Sequence, residues 1–196
     1  MIKDINGNHV IQCIIENIKN EDLLSLIYNE INDNLFENLC NKSGSCVFSK
    51  IIKCDIVSEG VINIIDNVIN NLNSFINNEF GNFIVQKILA INDKEYNSKI
   101  FNYIQDKIVN LCCQKYSSNV IEKCILSENQ LKQKIINKLI EGKNIMELIV
   151  DKYGNYIVQK ALEVLGQNED EFFIILDKIK ENCKNLKQSE YGKKAF

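Results

Sequence analysis

One short pattern of polar and hydrophobic positions recurs along the chain. In NGNHVIQCII, which starts at Asn6, a polar residue and a variable one precede an apolar pair, an amide and a second apolar pair. The same order occurs in FGNFIVQKIL from Phe80 and YGNYIVQKAL from Tyr153, and YSSNVIEKCI from Tyr116 keeps it with two polar substitutions. Apolar residues at three- and four-residue spacing are typical of a helix with one buried face. Each copy is therefore predicted to be a helix.

The copies recur at a nearly constant interval. Each copy contains a pentapeptide that runs from its first polar residue to the amide or acid, such as Asn8–Gln12. Aligned on the first residue of this pentapeptide, successive copies lie 37, 37, 36, 37 and 38 residues apart. The aligned positions are Asn8, Ser45, Asn82, Ser118, Asn155 and Lys193. Self-similarity at this period over the whole chain predicts a solenoid, in which each unit packs on its neighbours.

Each unit is predicted to contain three helices. In the third unit, 72–78 is a short first helix, Asn82–Ile91 is the second, and Glu95–Val109 is a third that runs towards the next unit. A sharp turn suits glycine before the second helix, at positions 7, 44, 81 and 154, and Ser117 is predicted to cap that helix in one unit. The predicted buried stripe comprises Val10/Ile11, Ile14/Ile15, Ile84/Val85 and Ile88/Leu89.

Polar residues four positions apart lie above one another on one helix face, which is predicted to be exposed. We call each such pair a rung; the pairs are Asn8/Gln12, Asn82/Gln86, Ser118/Glu122 and Asn155/Gln159. The residue after the first member lies beside the pair, and these neighbours are His9, Phe83, Asn119 and Tyr156. Stacked units would therefore present a ladder of polar pairs flanked by mostly flat side chains, spaced by roughly 8–10 Å.

The chemistry of the rungs matches the edges of nucleic-acid bases. An amide pair donates and accepts at once, as the uracil edge does, whereas the Glu122 carboxylate only accepts and suits the adjacent donors of guanine. Flat side chains between rungs can stack on the bases. This combination is typical of proteins that bind single-stranded RNA.

Composition narrows the function classes. Charged residues make up 25% and hydrophobic residues 45% of the 196 positions, and proline is absent, as expected for a helical soluble protein. The formal charge of −3 argues weakly against indiscriminate nucleic-acid binding. No apolar run has the length of a membrane span, and the first residues contain no signal-peptide core.

Cysteine and histidine usage predicts neither a metal centre nor catalysis. Eight cysteines form no CxxC pair and accompany a single histidine, so we expect small buried hydrophobic residues in a reducing compartment. They are Cys13, Cys40, Cys46, Cys54, Cys112, Cys113, Cys124 and Cys183. With no phosphate-binding loop and no candidate triad, we expect no enzyme activity and no cofactor.

The segments GNHVIQ, GNFIVQK, SSNVIEKC and GNYIVQKAL resemble the base-reading helices of the Pumilio-type (PUF) RNA-binding repeat proteins. The order of the units resembles repeats four to eight of that fold, and SEYGKKAF resembles the start of its C-terminal cap. The resemblance implies an all-α, right-handed α-solenoid of three-helix repeats. The units would be 1–31 (partial), 32–70, 71–106, 107–142, 143–182 and 183–196.

The resemblance also implies a recognition code of one base per repeat. Asn8/Gln12, Asn82/Gln86 and Asn155/Gln159 would contact uracil edges, and Ser118/Glu122 a guanine edge. His9, Phe83, Asn119 and Tyr156 would stack on the bases. Because RNA lies antiparallel to the protein in this family, the implied element is 5′-UGU-N-U in messenger-RNA 3′ untranslated regions. We therefore expect a cytoplasmic monomer that acts with deadenylase or translational-repressor proteins. We expect it to bind neither DNA nor a membrane.

One unit departs from the family pattern, because GSCVFSK has Ser45 and Ser49 as its rung and Cys46 as its stacking residue. We expect relaxed selectivity there, with adenine mildly favoured. The lysine directly after a pentapeptide is a candidate for charge contacts with RNA phosphates or base edges. These lysines are Lys50, Lys87, Lys123 and Lys160. The chain opens almost on a base-reading helix and closes just inside the cap, so we expect a fragment of a longer protein or a split gene product.

Two other functions remain open on the sequence. A helical scaffold of the armadillo or HEAT type would bind peptides on its concave face and would show no base preference. A ribosome-biogenesis relative of the same repeat family would bind structured or nonspecific RNA. The intact Ser118/Glu122 and Asn155/Gln159 rungs argue against this second alternative, because they keep a recognition code.

Overall fold

The protein is described by a computed structural model that covers residues 1–54, 58–127, 130–167 and 169–181. The predicted start of the cap, 183–196, with Lys193 and Cys183, lies outside these residues. No helix in the covered ranges is long and apolar enough to cross a membrane. The helices are α1 (Gly7–Asn17), α2 (Glu21–Asp33), α3 (Leu35–Leu39), α4 (Lys42–Cys54), α5 (Glu59–Asn70), α6 (Leu72–Ile76), α7 (Gly81–Ile91), α8 (Lys94–Ile104), α9 (Ile108–Cys112), α10 (Ser117–Ile125), α11 (Gln130–Ile140), α12 (Asn144–Val150), α13 (Gly154–Val164) and α14 (Asp170–Glu181).

The helices repeat in a fixed order of short, frame and connecting helix. The frame helices carry the rungs and are α1, α4, α7, α10 and α13. The short helices that precede them are α3, α6, α9 and α12, and the connecting helices that follow them are α2, α5, α8, α11 and α14. The prediction of three helices per unit agrees with this order.

The predicted third helix 95–109 is wrong in its extent. Helix α8 ends at Ile104, a 3-10 turn spans Gln105–Lys107, and α9 begins at Ile108. Lys107 has φ −121° and ψ 12°, which is outside the helical region and interrupts the α-helix. Equivalent breaks occur before the other short helices, at Asn34, Asn71 and Lys143. Periodicity missed the break because the apolar spacing continues through it.

The helices form two compact units, Met1–Tyr96 and Asn97–Phe196. Within the first, α4 packs between α1 and α7, and α2 packs against α5. Within the second, α10 packs against α13 and α11 against α14. In each unit, frame helices therefore lie side by side, which places their rungs next to one another.

The buried stripe of the frame helices is close to the prediction, with an exception in α1. Val47, Ile84 and Val120 occupy the first apolar position of their pentapeptides and are 0–1% exposed. Val10 occupies the same position and is 50% exposed, and Ile14 is only half-buried. The other frame helices each pack against the short helix that precedes them, whereas no short helix precedes α1 in the described ranges, so a face that is covered in the others remains open in α1.

Glycine lies within the first turn of three frame helices because another main chain approaches closely. A Cβ on Gly44, Gly81 or Gly154 would lie 1.8, 2.5 or 2.8 Å from the carbonyl oxygen six residues earlier, in the short helix. These glycines do not have positive φ, so turn conformation is not the reason for them.

In α10, Ser117 takes the place of this glycine and forms a hydrogen bond with the corresponding carbonyl. Its hydroxyl donates a 2.7 Å hydrogen bond to the Leu111 oxygen, six residues earlier, and the residue is buried. The predicted capping role of Ser117 is wrong, because its hydroxyl donates to the carbonyl of the preceding short helix and Ser117 is the first residue of α10, after the N-cap residue Tyr116.

We expect Gly81→Ala to destabilise the protein by about 2 kcal/mol, because the new methyl group would overlap the short-helix carbonyl. Urea unfolding followed by circular dichroism measures the change. Gly166→Ala is the matched control, since its Cβ would meet nothing nearer than a side-chain oxygen at 4.0 Å. Equal stability of the two variants would contradict the close-approach explanation.

Candidate functional site

A carboxylate or amide four residues before the rung holds the start of most frame helices. Asp151 Oδ1 accepts hydrogen bonds from the N–H groups of Tyr153 and Gly154, both at 2.8 Å. These N–H groups have no partner inside the helix, so the side chain satisfies them. The equivalent acceptors in the other units are Asp4, Asn41 and Asn78.

These capping residues were not predicted from the sequence, although their spacing provides a signal. Asp4, Asn41 and Asn78 recur at the 37-residue period, and in the chain they stand among many other Asn and Asp residues. Hydrogen bonds from the N–H groups of Gly7 and Asn6 lower the pKa of the Asp4 carboxyl below its ordinary value. The charge is favourable because it lies at the positive end of a helix.

The first residue of each Asn/Gln rung is buried, although the sequence analysis expected the rungs to be exposed. Asn8, Asn82 and Asn155 are 4%, 0% and 3% exposed. In each, the amide nitrogen donates to the main-chain oxygens three and four residues earlier, at 2.8–2.9 Å. Both amide protons of these asparagines are therefore directed into the start of their own helix.

The two members of each Asn/Gln rung meet, as the four-residue spacing predicted. Gln12, Gln86 and Gln159 donate from Nε2 to the asparagine Oδ1 of their rung, at 2.8, 3.0 and 2.9 Å. The glutamines are half-buried. Each rung thus has a buried inner amide and a partly accessible outer amide.

The Ser118/Glu122 rung has different chemistry. Ser118 is 8% exposed and its hydroxyl lies 3.4 Å from the Lys115 oxygen. Glu122 is half-buried and offers carboxylate oxygens, which are acceptors only. A cleft of about 420 Å³ between α10 and α13 is lined by both residues together with Asn119 and Tyr156. The structure therefore brings a predicted guanine rung and two predicted stacking residues to one cavity, and Gln159 also lines it.

The predicted stacking residues lie at the surface to different degrees. Phe83 is 51% and Tyr156 62% exposed. His9 and Cys46 are also exposed, and Asn119 is half-buried. None of the four exposed side chains is a core residue, so each can meet a ligand.

The Ser45/Ser49 rung has no outward donor. Ser45 donates its hydroxyl to the Lys42 oxygen and Ser49 donates to the Ser45 main-chain oxygen, both at 2.9 Å. Each serine proton is used within α4, and the short side chains present lone pairs only. This rung differs from the others in both reach and polarity.

Among the described residues, ion pairs with glutamates are seen for two of the four candidate lysines, Lys50 and Lys160. Lys50 lies 3.0 Å from Glu16 on the neighbouring frame helix, and Lys160 lies 2.5 Å from Glu163. The hydrogen bond to Glu163 raises the pKa of the Lys160 ammonium above its ordinary value. Lys87 is exposed and Lys123 half-buried.

The cysteines are not uniformly buried, so that part of the sequence prediction is wrong. Cys112 and Cys124 are buried, whereas Cys13, Cys46 and Cys54 are exposed at helix surfaces. Burial raises the pKa of the Cys124 thiol to about 12 and that of Cys112 well above its ordinary value, so both stay protonated. Within the ranges that the structure covers, no group of His, Cys, Asp and Glu is arranged to hold a metal ion.

Comparison with known proteins identifies the repeats. A sequence model of the family described as Pumilio-family RNA binding repeat matches residues 1–31, 71–104, 107–140 and 144–180. The segment with the Ser45/Ser49 rung lies outside these matches. Among curated proteins, a Pumilio domain-containing protein of Schizosaccharomyces pombe is 28% identical over 198 residues, and Pumilio homology domain family member 4 of Saccharomyces cerevisiae is 30% identical over 183 residues. These matches cover 100% and 90% of this chain, but only 28% and 20% of the relatives.

Solved structures show the same fold. The Puf4 RNA-binding domain bound to the HO endonuclease RNA 3′ UTR recognition sequence has a TM-score of 0.88 at 25% identity, over 99% of this chain and 62% of that one. The RNA-binding domain of yeast Puf5p bound to SMX2 RNA has a TM-score of 0.80 at 27% identity, over 98% and 60%. These matches confirm the predicted all-α solenoid class.

We expect Asp151→Ala to destabilise the protein by about 1 kcal/mol, because the N–H groups of Tyr153 and Gly154 lose their acceptor. The urea midpoint measures the loss. Asp151→Asn is the control, since Asn78 makes the same two bonds in another unit and an amide oxygen is therefore sufficient. If the alanine and asparagine variants unfold at the same midpoint, the side chain does not hold the helix start.

Proposed function

The chain belongs to the Pumilio family of RNA-binding repeat proteins, and we propose that it binds single-stranded RNA containing 5′-UGU-N-U with one base at each rung. In this assignment Asn155/Gln159 faces the first uracil, Ser118/Glu122 the guanine and Asn82/Gln86 the second uracil. Ser45/Ser49 faces the unselected base and Asn8/Gln12 the last uracil. The solved domains named above are bound to RNA elements, which supports RNA as the ligand class.

The contrast between Glu122 and the glutamines at the same frame position carries this proposal. A scaffold surface would have no reason to keep four rungs in one register and to change the hydrogen-bonding character of one. Guanine presents N1–H and an exocyclic amine side by side, and a carboxylate accepts from both. The cleft at Glu122 supplies that acceptor beside Asn119 and the exposed ring of Tyr156.

The glutamine rungs suit uracil on the same grounds. An amide oxygen accepts from uracil N3–H while the amide nitrogen donates to O4. The exposed rings of Phe83 and Tyr156 lie one residue after the first member of two of these rungs, where a base can stack on them. His9 has the corresponding place beside Asn8/Gln12.

The fourth base is expected to be weakly selected. Both serine protons of the Ser45/Ser49 rung are used inside α4, so the rung offers a base only acceptor lone pairs at short reach. The adenine amino group can donate to such an acceptor, which makes adenine mildly favoured. Cys46 provides little stacking area compared with an aromatic ring.

The proposed targets are messenger-RNA 3′ untranslated regions, with translational repression or decay in the cytoplasm through recruited deadenylase or repressor proteins. Solved Puf4 and Puf3 domains are bound to 3′ UTR recognition sequences, which supports this class of target. Exposed Lys87 and half-buried Lys123 are the candidate lysines with most freedom to contact phosphates.

We expect RNA containing UGUAU to bind at least about a hundredfold more tightly than the same RNA with ACA in place of UGU. Each lost base contact costs roughly 1 kcal/mol or more, and three are lost. Fluorescence anisotropy at one fixed salt concentration measures both affinities. Equal binding of the two RNAs would reject sequence recognition, and binding of neither would favour a peptide-binding scaffold.

Exchanging the second rung should change the base that it selects. We expect Ser118→Asn combined with Glu122→Gln to shift the preference at the second base from guanine to uracil. The two acceptor oxygens of the Glu122 carboxylate are then replaced by one acceptor oxygen and one donor nitrogen. Anisotropy with UGUAU and UUUAU measures the ratio. Glu141→Gln removes the same charge at an exposed site in an ion pair with Lys138 and should leave the ratio unchanged. A double variant that still prefers guanine would exclude Glu122 as the selective residue.

A further inference from the structure

We propose that Asn8, Asn82 and Asn155 are positioning residues that fix the direction of the neighbouring glutamine amide and thereby make each rung select uracil over cytosine. This inference rests on the proposed function. It concerns how the rung discriminates between two pyrimidines, which the identity of the glutamine alone does not explain.

A glutamine amide is ambiguous by itself. Its oxygen and nitrogen are nearly the same size, and a half-turn of the terminal torsion exchanges acceptor and donor. Uracil presents N3–H and the O4 acceptor, whereas cytosine presents the N3 acceptor and the N4 amine. A glutamine that is free to turn would match either base.

The first step that removes this ambiguity lies at the helix start. Asn82 places one amide atom 2.9 Å from the Asn78 oxygen and 2.8 Å from the Glu79 oxygen. Carbonyl oxygens only accept, so that atom must be the nitrogen. The same two bonds occur at Asn8 and Asn155. The main chain therefore fixes the direction of each asparagine amide.

The second step passes that direction to the glutamine. With its nitrogen turned to the main chain, Asn82 presents only Oδ1 to the next turn, and Gln86 meets it at 3.0 Å. An oxygen there requires an N–H from the glutamine, so Nε2 must face inward. The asparagine is 0% exposed, so water cannot readily replace it as the acceptor. We call this chain of bonds the amide relay.

The relay determines what remains for a base. Oε1 and the second Nε2 proton of Gln86 are left, as one acceptor beside one donor in a fixed order. Uracil N3–H and O4 match that order. Cytosine would place its amine against the glutamine N–H and its N3 against Oε1, and turning the amide to suit cytosine would break the hydrogen bond from Gln86 to the buried Asn82.

The other rungs fit this interpretation. Glu122 has two equivalent oxygens, so its direction needs no control, and the residue below it is Ser118, whose hydroxyl lies near the Lys115 oxygen. Ser45 and Ser49 each donate to their own helix. Among the rungs that the structure describes, the relay is present at all three whose outer residue is an amide.

The test is the uracil-to-cytosine ratio at the third base, measured by anisotropy with UGUAU and UGCAU. Wild type should prefer uracil by at least about tenfold. Asn82→Ala should reduce the ratio to about threefold or less, because Gln86 loses the acceptor that directs it. A wild-type ratio in the alanine variant would overturn the relay.

A second affinity ratio distinguishes general unfolding of the Asn82→Ala variant from the loss of a positioning residue. The guanine-to-adenine ratio at the second base should be unchanged in Asn82→Ala, whereas general unfolding would lower binding to every RNA. Asn155→Ala with CGUAU against UGUAU repeats the test at an independent rung if Asn82→Ala does not fold.

Nuclear magnetic resonance tests the relay without RNA. The side-chain amide protons of Gln12, Gln86 and Gln159 should exchange with solvent more slowly than those of exposed Gln130, and exchange at the same rate would overturn the relay even if RNA recognition holds. Conversely, slow exchange without preference for UGU would reject the proposed function and leave the hydrogen-bond chain intact.

Discussion

The described repeats depend on how each frame helix begins. The carbonyl of the preceding short helix lies so close that glycine, or a serine bonded to that carbonyl, occupies the first position of α7, α10 and α13 and the third position of α4. This approach leaves the first N–H groups and the carbonyls of the entering turn beside one another. In α7 the N–H groups are satisfied by the Asn78 side chain and the carbonyls by Asn82. The packing of the short helix, the capping of the frame helix and the hydrogen bonds of the first rung residue therefore depend on one another.

This coupling explains why the outer half of the rung can vary at small cost. The turn needs a donor for its carbonyls at the first rung position, and Asn155 or Ser118 can provide one. The outer residue is half-buried and bonds, where it is glutamine, only to the inner one. A change from glutamine to Glu122 alters the polarity that faces solvent without touching the buried stripe. Under the proposed function, the inner position would serve stability and the outer one selectivity, with the amide relay as their connection.

The sequence predicted the period, the helices and the pairing of rung residues because all three follow from 3.6-residue geometry. It did not predict the burial of Asn82, which depends on main-chain carbonyls that a side-chain pattern does not reveal. The break after Ile104 was missed for the same reason, since it is a change of backbone angle within an unbroken apolar pattern. The exposure of Val10 depends on which helices neighbour α1, and spacing within one helix cannot show that.

The bonds that orient the Asn82/Gln86 rung join residues within four positions of one another, so under the proposed function this unit would set its own base preference. The cleft at Glu122, by contrast, is formed by α10 and α13 together. Glu122 and Asn119 come from one frame helix and Tyr156 from the next. In the proposed RNA complex, selectivity would therefore be local and affinity would be shared between adjacent repeats. A repeat could exchange its preferred base within its own sequence, whereas the strength with which a base is held would depend on the packing of the neighbouring repeat.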